Sequence, residues 1–540
     1  MAGGTWIDQN KLRPGVYINY KSAPASLATM GERGVVAIAR VLDWGERGRF
    51  YTIADPSDCE QFGHAITDDE CLFIRQILLG TNRTQGASKI MLWSLEPQEG
   101  DTKASVTVKM GGVDYTITAK SAGPNGNKLS FSVTGSATFT FTVFNGDEVV
   151  STDSNITDFQ YVGSTAKTYL ELPSSGSLAA TPQTSLAGGA IGAHKATASI
   201  GNLVATAKYY GTFGNRLSVV ITAGESANFI VQTLLDGQAV DSQVVSAISG
   251  LVANDYVEWS GTGALAANTG VKLTGGTNGE ASITNYNAFL DALEVENFNI
   301  VIYDGTDATL KELYANYVKR LSNNEGAKCQ AVVSNMTPNP DNECVINCYP
   351  QSITLSDGTV LAPEHLTWWM GGAQAGANVN ESLTYANHPG AVDISPKLGG
   401  LAQDASITDG KIALFCDKKG RVKVLTDINS FRTFSVGKGK AFAKNRVVRC
   451  VFGFCNDIFD VFSEYYIGAV SNDEEGRKAL KGECLGLANR YQGIKALQNV
   501  ETDDFDVLKG VDSDAVVIEG NIQPVDSIEK IYINITIRKG

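Results

Sequence analysis

Histidine and cysteine often carry catalysis or hold metals in proteins, and neither forms a recognisable site pattern in this chain. Only 4 of the 540 residues are histidine. His365 follows Glu364 and His388 precedes Pro389, and neither has a companion at the spacing of a known triad, so we expect surface or helix-terminal positions for both. No nucleophile elbow, HExxH, P-loop or EF-hand pattern occurs. We therefore predict no catalytic residues, no cofactor and no metal.

The nine cysteines are scattered without a C-x-x-C pair, which argues against a zinc site or a disulfide framework. Cys344 and Cys348 lie four residues apart and could share a helix face. They belong to a β-branched, Asn-rich segment instead, so we interpret them as ordinary thiols. The cysteine pattern predicts buried thiols in a protein made in a reducing cytoplasm.

The overall composition indicates a β-rich, multidomain protein with ample material for cores. Hydrophobic residues make up 43% of the chain and charged residues 19%, and its length suggests three or four domains. The net charge of −14 argues against a general nucleic-acid binder. We find no secretory signal and no apolar run of the ~18 residues that a membrane span needs, so we predict no insertion into a membrane.

One region departs from this acidic balance. Between residues 411 and 450 there are eleven basic and only two acidic residues. For any one of these residues a solvated helix face is as good an interpretation, but the cluster as a whole indicates a surface for an acidic partner. The residues that we single out are Lys438, Lys440, Lys444, Arg446 and Arg449.

An internal duplication is the firmest structural inference. The segment GPNGNKLS at 123–130 recurs as GTFGNRLS at 211–218, which is 88 residues later. Each copy also carries a hairpin turn, Asn145-Gly146 in the first and Asp236-Gly237 in the second, between β-rich segments. We predict two tandem β-sandwich-like domains.

The segments on either side alternate between helical and strand patterns, which favours an α/β core that carries the duplicated region as an insertion. A broad apolar stripe predicts a long helix over 441–466. The predicted organisation is an arm at 1–30, core at 31–101 and 280–405, sandwiches at 102–193 and 194–279, a C-terminal domain at 406–527 and a terminal strand at 528–540.

Each end of the chain carries a strand pattern that has no neighbouring partner in the sequence. Near the start it comprises Val16, Tyr17 and Ile18. Near the end isoleucine alternates strictly, and the residues are Ile531, Tyr532, Ile533, Ile535 and Ile537. Because an unpaired strand edge invites pairing with another chain, we expect both segments to link subunits.

Several of these segments, taken in order, resemble the contractile-tail sheath proteins, above all those of Gram-positive myophages and phage-tail-like bacteriocins. The matching segments are RPGVY at 13–17, SLTY at 382–385, DINS at 427–430, FAKNRVVR at 442–449, YIG at 466–468 with Asn472 and Gly476-Arg477, and QPVDSIEKIY at 523–532. A β-sandwich insertion with a Gly-x-x-Gly-Asn motif is usual in those sheaths. This chain carries it twice, which is a departure.

The resemblance implies an α+β multidomain fold, with an α/β sheath core, two inserted β-sandwiches and extended terminal arms. It implies a structural subunit of hexameric rings stacked around a tail tube, in a phage tail or a phage-tail-like particle assembled in the bacterial cytoplasm. The implied partners are further copies of the chain, the tube protein, and the baseplate and tail terminator proteins. The basic residues 438–449 would then face the tube.

Two other classes remain as alternatives at this point. An α/β enzyme with accessory β-sandwich modules would need a cleft with converging titratable groups, for which no motif is present. A surface or adhesin protein would fit the Gly/Thr/Ser-rich repeats but would need an export signal.

Overall fold

The computed structural model describes residues 33–538 and, as backbone only, the short strands Gly3–Gly4 and Val16–Tyr17, which pair in parallel. The chain divides into two compact units. Unit 1 comprises Met1–Val36, Gln76–Ser88 and Phe298–Gly540, and unit 2 comprises Ala37–Arg75 and Lys89–Asn297. The helices and strands confirm a mixed α+β, multidomain fold.

Unit 2 contains both copies of the duplicated segment, and each copy forms a two-layered β-sandwich. We name them repeat 1 and repeat 2. The strands of repeat 1 are Ser105–Met110, Val113–Ala119, Leu129–Gly135, Phe139–Asn145, Glu148–Ile156, Leu170–Glu171 and Thr181–Ser185. Those of repeat 2 are Ala193–Ile200, Leu203–Tyr210, Leu217–Ala223, Phe229–Leu235, Gln238–Val245, Val257–Gly261, Asn268–Lys272 and Thr277–Asn278.

The duplicated Gly-x-x-Gly-Asn motif has a structural role in each sandwich. In repeat 1 the Asn127 amide donates to the Gly189 carbonyl and accepts from the Gly189 N–H, both at 2.8 Å. A Cβ on Gly126 would lie only 2.9 Å from the Cβ atoms of Ala104 and Ala119, so a larger residue would clash. In repeat 2 Asn215 makes the same pair of bonds with Gly276. The motif therefore closes each sandwich.

The rest of unit 2 is a small α/β region on which repeat 2 packs. Its elements are the strands Val35–Arg40, Phe50–Ile53 and Lys89–Ser94, the 3-10 helices Pro56–Phe62 and Asp69–Cys71, and the helices Leu72–Leu78 and Ile283–Leu293. The shorter helical elements of the repeats are Pro124–Lys128, Phe159–Tyr161, Ser164–Tyr169, Thr212–Arg216 and Ile248–Gly250. Trp44 is buried against Phe213 of repeat 2, with ring centroids 4.6 Å apart.

Unit 1 is built on four parallel strands. In sheet order they are Lys411–Ile412, Val345–Cys348, Gln330–Ser334 and Ile300–Ile302. Three smaller sheets accompany them: Val360–Leu361, Ser352–Leu355 and Ala391–Ser395 in one, the hairpin Leu414–Cys416 with Val422–Val424, and the hairpin Phe505–Lys509 with Val516–Gly520. Cys344 and Cys348 are buried at this parallel sheet, and burial raises the pKa of their thiols to about 11 and about 12.

The helices of unit 1 pack around the parallel strands and beside the C-terminal hairpin. They are Ala308–Arg320 with the π-helical turn Leu321–Glu325, Pro363–His365, Leu366–Gly376, Gly400–Thr408, Lys440–Ala443, Asn445–Tyr465, Glu474–Gly493 and Thr502–Asp504. The long helix predicted from residue 441 begins at Asn445, because a short 3-10 turn and an extended Lys444 precede it. No helix among the described residues is long and apolar enough to cross a membrane.

The expected surface or helix-terminal position is wrong for His388. Its side chain is buried, with Nε2 2.8 Å from Oε1 of Gln76 and its ring 4.7 Å from the ring of Trp369. The N–H of Gly390 donates to Nδ1, so the imidazole is neutral with its proton on Nε2. His365 does stand at a helix start, stacked on Trp368 at 3.9 Å.

Candidate assembly site

The last described residues of unit 1 lie outside any helix or strand, and we call them the C-terminal arm (residues 530–538). The chain reaches it from the hairpin Phe505–Lys509 with Val516–Gly520. On the way, Val525 donates its N–H to the carbonyl of Ala496 at 2.8 Å. The arm itself belongs to no strand within the described chain. The alternating pattern therefore has no ladder partner among the described residues of its own subunit.

The side chains of the arm are almost fully accessible. The exposed fractions of Ile531, Tyr532, Ile533, Ile535 and Ile537 lie between 74% and 90%. In an extended chain the four isoleucines share one face, because successive side chains point to opposite sides. A continuous apolar face of this kind is costly in water and suits burial against a partner.

Glu529 fixes the root of the arm. Its carboxylate accepts a hydrogen bond of 2.7 Å from the hydroxyl of Thr384 and forms an ion pair with Lys444. The hydroxyl of Thr426 lies 3.4 Å from the other carboxylate oxygen. The arm thus leaves unit 1 from a held position.

Behind that root lies a buried polar network centred on Asp427. Its carboxylate accepts hydrogen bonds from the side chain of Gln374 at 2.7 Å, the side chain of Asn445 at 2.9 Å and the backbone of Leu383 at 3.0 Å. Arg449 lies 3.8 Å away and donates to Gln374 as well. Burial in this network lowers the pKa of Arg449, which the charges of Asp427 and Glu381 oppose.

This network explains why three of the sheath-like segments named above belong together. The segments 382–385, 427–430 and 442–449 each contribute to it, although they are separate in the sequence. Thr384 joins the network to the arm, since its hydroxyl accepts from the N–H of Asp427 at 2.9 Å and donates to Glu529. Sequence reasoning identified the segments but not their meeting point; the polar residues within largely apolar segments were the available signal.

The five singled-out basic residues do not form one uniform surface. Lys438 forms an ion pair with Glu343, Lys444 pairs with Glu529, and Arg449 is largely buried in the network around Asp427. Lys440 is exposed, and Arg446 is half-buried, with a buried Nε that has no acceptor among the described residues. The structure brings Lys444 and Arg449 to the base of the arm and leaves Lys440 open to solvent.

Of the predicted N-terminal residues, Val16 and Tyr17 lie in the short parallel strand, and Ile18 lies outside the described residues. The first described side chain after that segment is Arg33. Its guanidinium forms an ion pair of 2.9 Å with the buried Asp457, whose carboxylate also accepts from the Tyr491 hydroxyl at 2.6 Å. The chain therefore enters unit 1 at a fixed position too.

One group of possible metal ligands occurs among the described residues, in unit 2. His64, Asp68 and Glu70 have ligand atoms within 4.8 Å of one another. His64 is buried, with Nε2 2.7 Å from Asp43 and Nδ1 3.2 Å from Asp68. Burial opposes protonation, but these carboxylates raise the pKa of His64 overall. Ion pairing of an imidazolium accounts for the group without a metal.

Three family models cover most of this chain. The phage tail sheath protein central domain matches residues 279–430, and the phage tail sheath C-terminal domain matches residues 437–538. The phage tail sheath protein beta-sandwich domain matches residues 192–278, which is repeat 2.

Relatives and solved structures give the same result over nearly the whole chain. The phage-like element PBSX protein XkdK of Bacillus subtilis is 32% identical over 99% of this chain and 100% of its own length. The sheath tail protein of Desulfitobacterium hafniense is 32% identical, with a TM-score of 0.70 over 96% of this chain and 99% of its own. The sheath tail protein of Listeria innocua is 25% identical, with a TM-score of 0.61 over 94% and 96%.

Proposed function

This chain belongs to the phage tail sheath protein family, and on that premise we propose that it is the structural subunit of a contractile tail sheath. Copies of the chain form hexameric rings that stack around a tail tube. Contraction drives the tube through the envelope of a target cell. The particle is a phage tail or a phage-tail-like bacteriocin, and the further partners are the tube, baseplate and tail terminator proteins.

The observation that carries this proposal is the C-terminal arm, which is held at its root and unpaired beyond it. Inserted beside a strand of a neighbouring subunit, an arm of about eight residues makes some four ladder bonds, each worth ~1 kcal/mol net. One such link is modest. Repetition of the link through a lattice of subunits makes the assembly strong.

A neighbouring subunit offers a suitable edge in its own C-terminal hairpin. Phe505–Lys509 and Val516–Gly520 form a sheet of only two strands within the described chain, and Leu508 and Val517 are half exposed on it. Isolated two-stranded sheets are marginal in water, and added strands stabilise them. We therefore assign this hairpin as the acceptor of an arm from another copy.

The anchored roots suit a sheath that contracts without falling apart. Glu529 holds the base of the C-terminal arm, and Arg33 follows the N-terminal segment and is held by Asp457. The peptide between root and inserted strand is then free to bend while the globular units repack. Contraction in this scheme releases a metastable packing into a better buried one and needs no nucleotide.

The basic region would lie toward the tube. Lys440 supports this role because it is exposed and has no acidic partner among the described residues. Lys438, Lys444 and Arg446 flank it with partial exposure, whereas Arg449 contributes by supporting the segment from inside.

Negative-stain electron microscopy of the full chain beside a chain that ends at Lys530 tests the proposal. The full chain should form rings or tubes, and the shortened chain should remain monomeric with an unchanged Tm, since the arm makes no ladder with the described residues of its own subunit. Equal polymerisation of the two chains would remove the role assigned to the arm. Monodisperse full chain at all salt and protein concentrations, even with the tube protein added, would contradict the sheath function itself.

A further inference from the structure

A cleft of about 380 Å³ in unit 1 opens at the carboxyl ends of the parallel strands. The loops after Ile300–Ile302, Gln330–Ser334 and Val345–Cys348 form its walls, with the start of the helix Ala308–Arg320 on one side. In open α/β sheets this edge is where ligands commonly bind, because the loops there converge around a crevice. The proposed assembly function makes no use of it.

The helix Ala308–Arg320 presents its N-terminus to the cleft. Asp307 caps it by accepting a hydrogen bond of 3.0 Å from the N–H of Leu310. The N–H groups of Ala308 and Thr309 have no carbonyl acceptor within the helix, because they belong to its first turn. Ala308 also lines the cleft. The positive end of the helix dipole therefore favours a negatively charged group there.

Lys311 is a second and independent feature of the cleft. It lines the cavity and is only 7% exposed, yet its ammonium has no hydrogen-bond acceptor or ion-pair partner among the described residues. Burial lowers the pKa of Lys311, which the charges of Glu364 and Asp307 oppose. The Nζ atom itself is not fully buried, so an arriving anion can reach it and supply the missing partner.

The flanking charges decide which anion suits the cleft. Glu312 and Glu364 also line it, so a phosphate dianion would be repelled more strongly than a singly charged carboxylate. The hydroxyl of Ser334 already donates to the Pro363 carbonyl at 3.1 Å, and the side-chain oxygen of Asn335, which also lines the cleft, accepts from Lys411 at 3.1 Å. We propose that this cleft binds a carboxylate group, held by Lys311 and the N-terminus of the helix Ala308–Arg320.

The carboxylate has two possible sources with the same chemistry. It is either a small free carboxylate or an acidic side chain of a second copy of this chain, which carries 58 acidic residues. The second source rests on the proposed sheath function, and the first does not. An experiment with two arms separates them.

The first arm measures Tm of the full chain in acetate against chloride at equal ionic strength, for the unaltered chain and for Lys311→Met. Acetate should raise Tm of the unaltered chain, and Lys311→Met should abolish the rise. Lys311→Met itself should fold at least as stably, because it replaces an unpaired buried charge by an apolar chain of similar size. Lys319→Met, exposed on the same helix, is the matched control and should retain the acetate effect.

The second arm measures the critical concentration for polymer formation by sedimentation of the same variants. A rise of about tenfold in Lys311→Met, restored by Lys311→Arg and absent in Lys319→Met, assigns the carboxylate to a neighbouring subunit. An acetate effect with unchanged assembly assigns it to a free ligand. If Lys311→Met alters neither Tm in acetate nor assembly, or if the full chain does not assemble and acetate has no effect on it, the proposal is overturned.

Discussion

The hydroxyl of Thr384 donates a hydrogen bond of 2.7 Å to the carboxylate of Glu529, which lies 145 residues further along the chain. The same hydroxyl accepts from the N–H of Asp427, at the centre of the buried network. One threonine therefore connects the interior of unit 1 to the base of an arm that makes no ladder with the described part of the chain. The position of the arm and the stability of the interior of unit 1 therefore both depend on the hydroxyl of Thr384.

Replacement of Glu529 should loosen the root of the arm. Glu529→Ala removes both the ion pair with Lys444 and the acceptor for Thr384, whereas Glu529→Gln keeps an acceptor. We expect hydrogen exchange of residues 525–530 to rise roughly tenfold in the alanine variant and less in the glutamine variant, as expected for a loss of about 1–2 kcal/mol. Glu519→Ala, on the exposed hairpin, is the control; equal exchange in the two alanine variants would show that Glu529 is no anchor.

The two faces of the arm should differ in their effect on assembly. One variant replaces the isoleucines at 531, 533, 535 and 537 by threonine and so removes the apolar face. The other replaces Tyr532, Asn534 and Thr536 by alanine and so changes the opposite face. Since all these residues are exposed in the monomer, Tm should stay unchanged in both variants. The isoleucine variant should lose polymers in electron microscopy and the other should retain them. Equal loss would show that both faces of the arm contribute, and equal retention would mean that the arm binds by backbone pairing alone.

Asp427→Asn should be among the most destabilising single substitutions in unit 1. The carboxylate is buried, and it is the counter-charge of the largely buried Arg449. Removal of that charge leaves the guanidinium hydrogen-bonded only to neutral acceptors, Gln374 and the carbonyl of Glu381, and should cost about 3 kcal/mol in the free energy of unfolding, measurable by urea titration. Asp393→Asn removes an exposed pair with Lys397 and a 3.8 Å contact from the Cys416 thiol, and it should change little. A small effect of Asp427→Asn would show that Gln374 and Asn445 suffice to hold the network.

His388 should make the protein less stable as the pH falls. Burial lowers its pKa from 6.5 to about 4. The unfolded chain therefore takes up a proton first, so the stabilisation is complete above about pH 6.5 and is lost toward pH 4, by about 3 kcal/mol in all. His388→Gln should flatten this part of the profile of unfolding free energy against pH. An unchanged slope in His388→Gln would refute the assignment.

Repeat 1 should be removable and repeat 2 should not. The chain enters and leaves repeat 1 side by side, since Ala193 donates its N–H to the Gln98 carbonyl at 2.9 Å and Gly100 donates to the Ala193 carbonyl at 3.3 Å. Deletion of 101–191 with a short glycine link should preserve cooperative unfolding. Deletion of 194–278 exposes Trp44, which packs on Phe213, and should lower Tm sharply or prevent folding. Failure of both deletions would show that repeat 1 is structurally required.

Local and repeated patterns could be predicted from the amino-acid sequence. The Gly-x-x-Gly-Asn duplication identified two β-sandwiches because Asn127 and Asn215 meet the same local requirement in each copy. Apolar periodicity placed the long helix to within four residues of its start at Asn445, and only the 3-10 turn before it was missed. The alternation of isoleucine after residue 530 predicts a strand face from neighbours in the chain alone, and this stays a prediction because residues 530–538 form no strand in the described chain.

Contacts between distant segments were decided by the tertiary structure. Side-chain types do not reveal that Asp427, Gln374 and Arg449 converge, nor that His388 is buried against Trp369. The sequence does not show whether a lysine or arginine is exposed, as Lys440 is, or largely buried, as Arg449 is. The physical reason is that burial and pairing depend on which surfaces the folded chain brings together, and no local pattern contains that information.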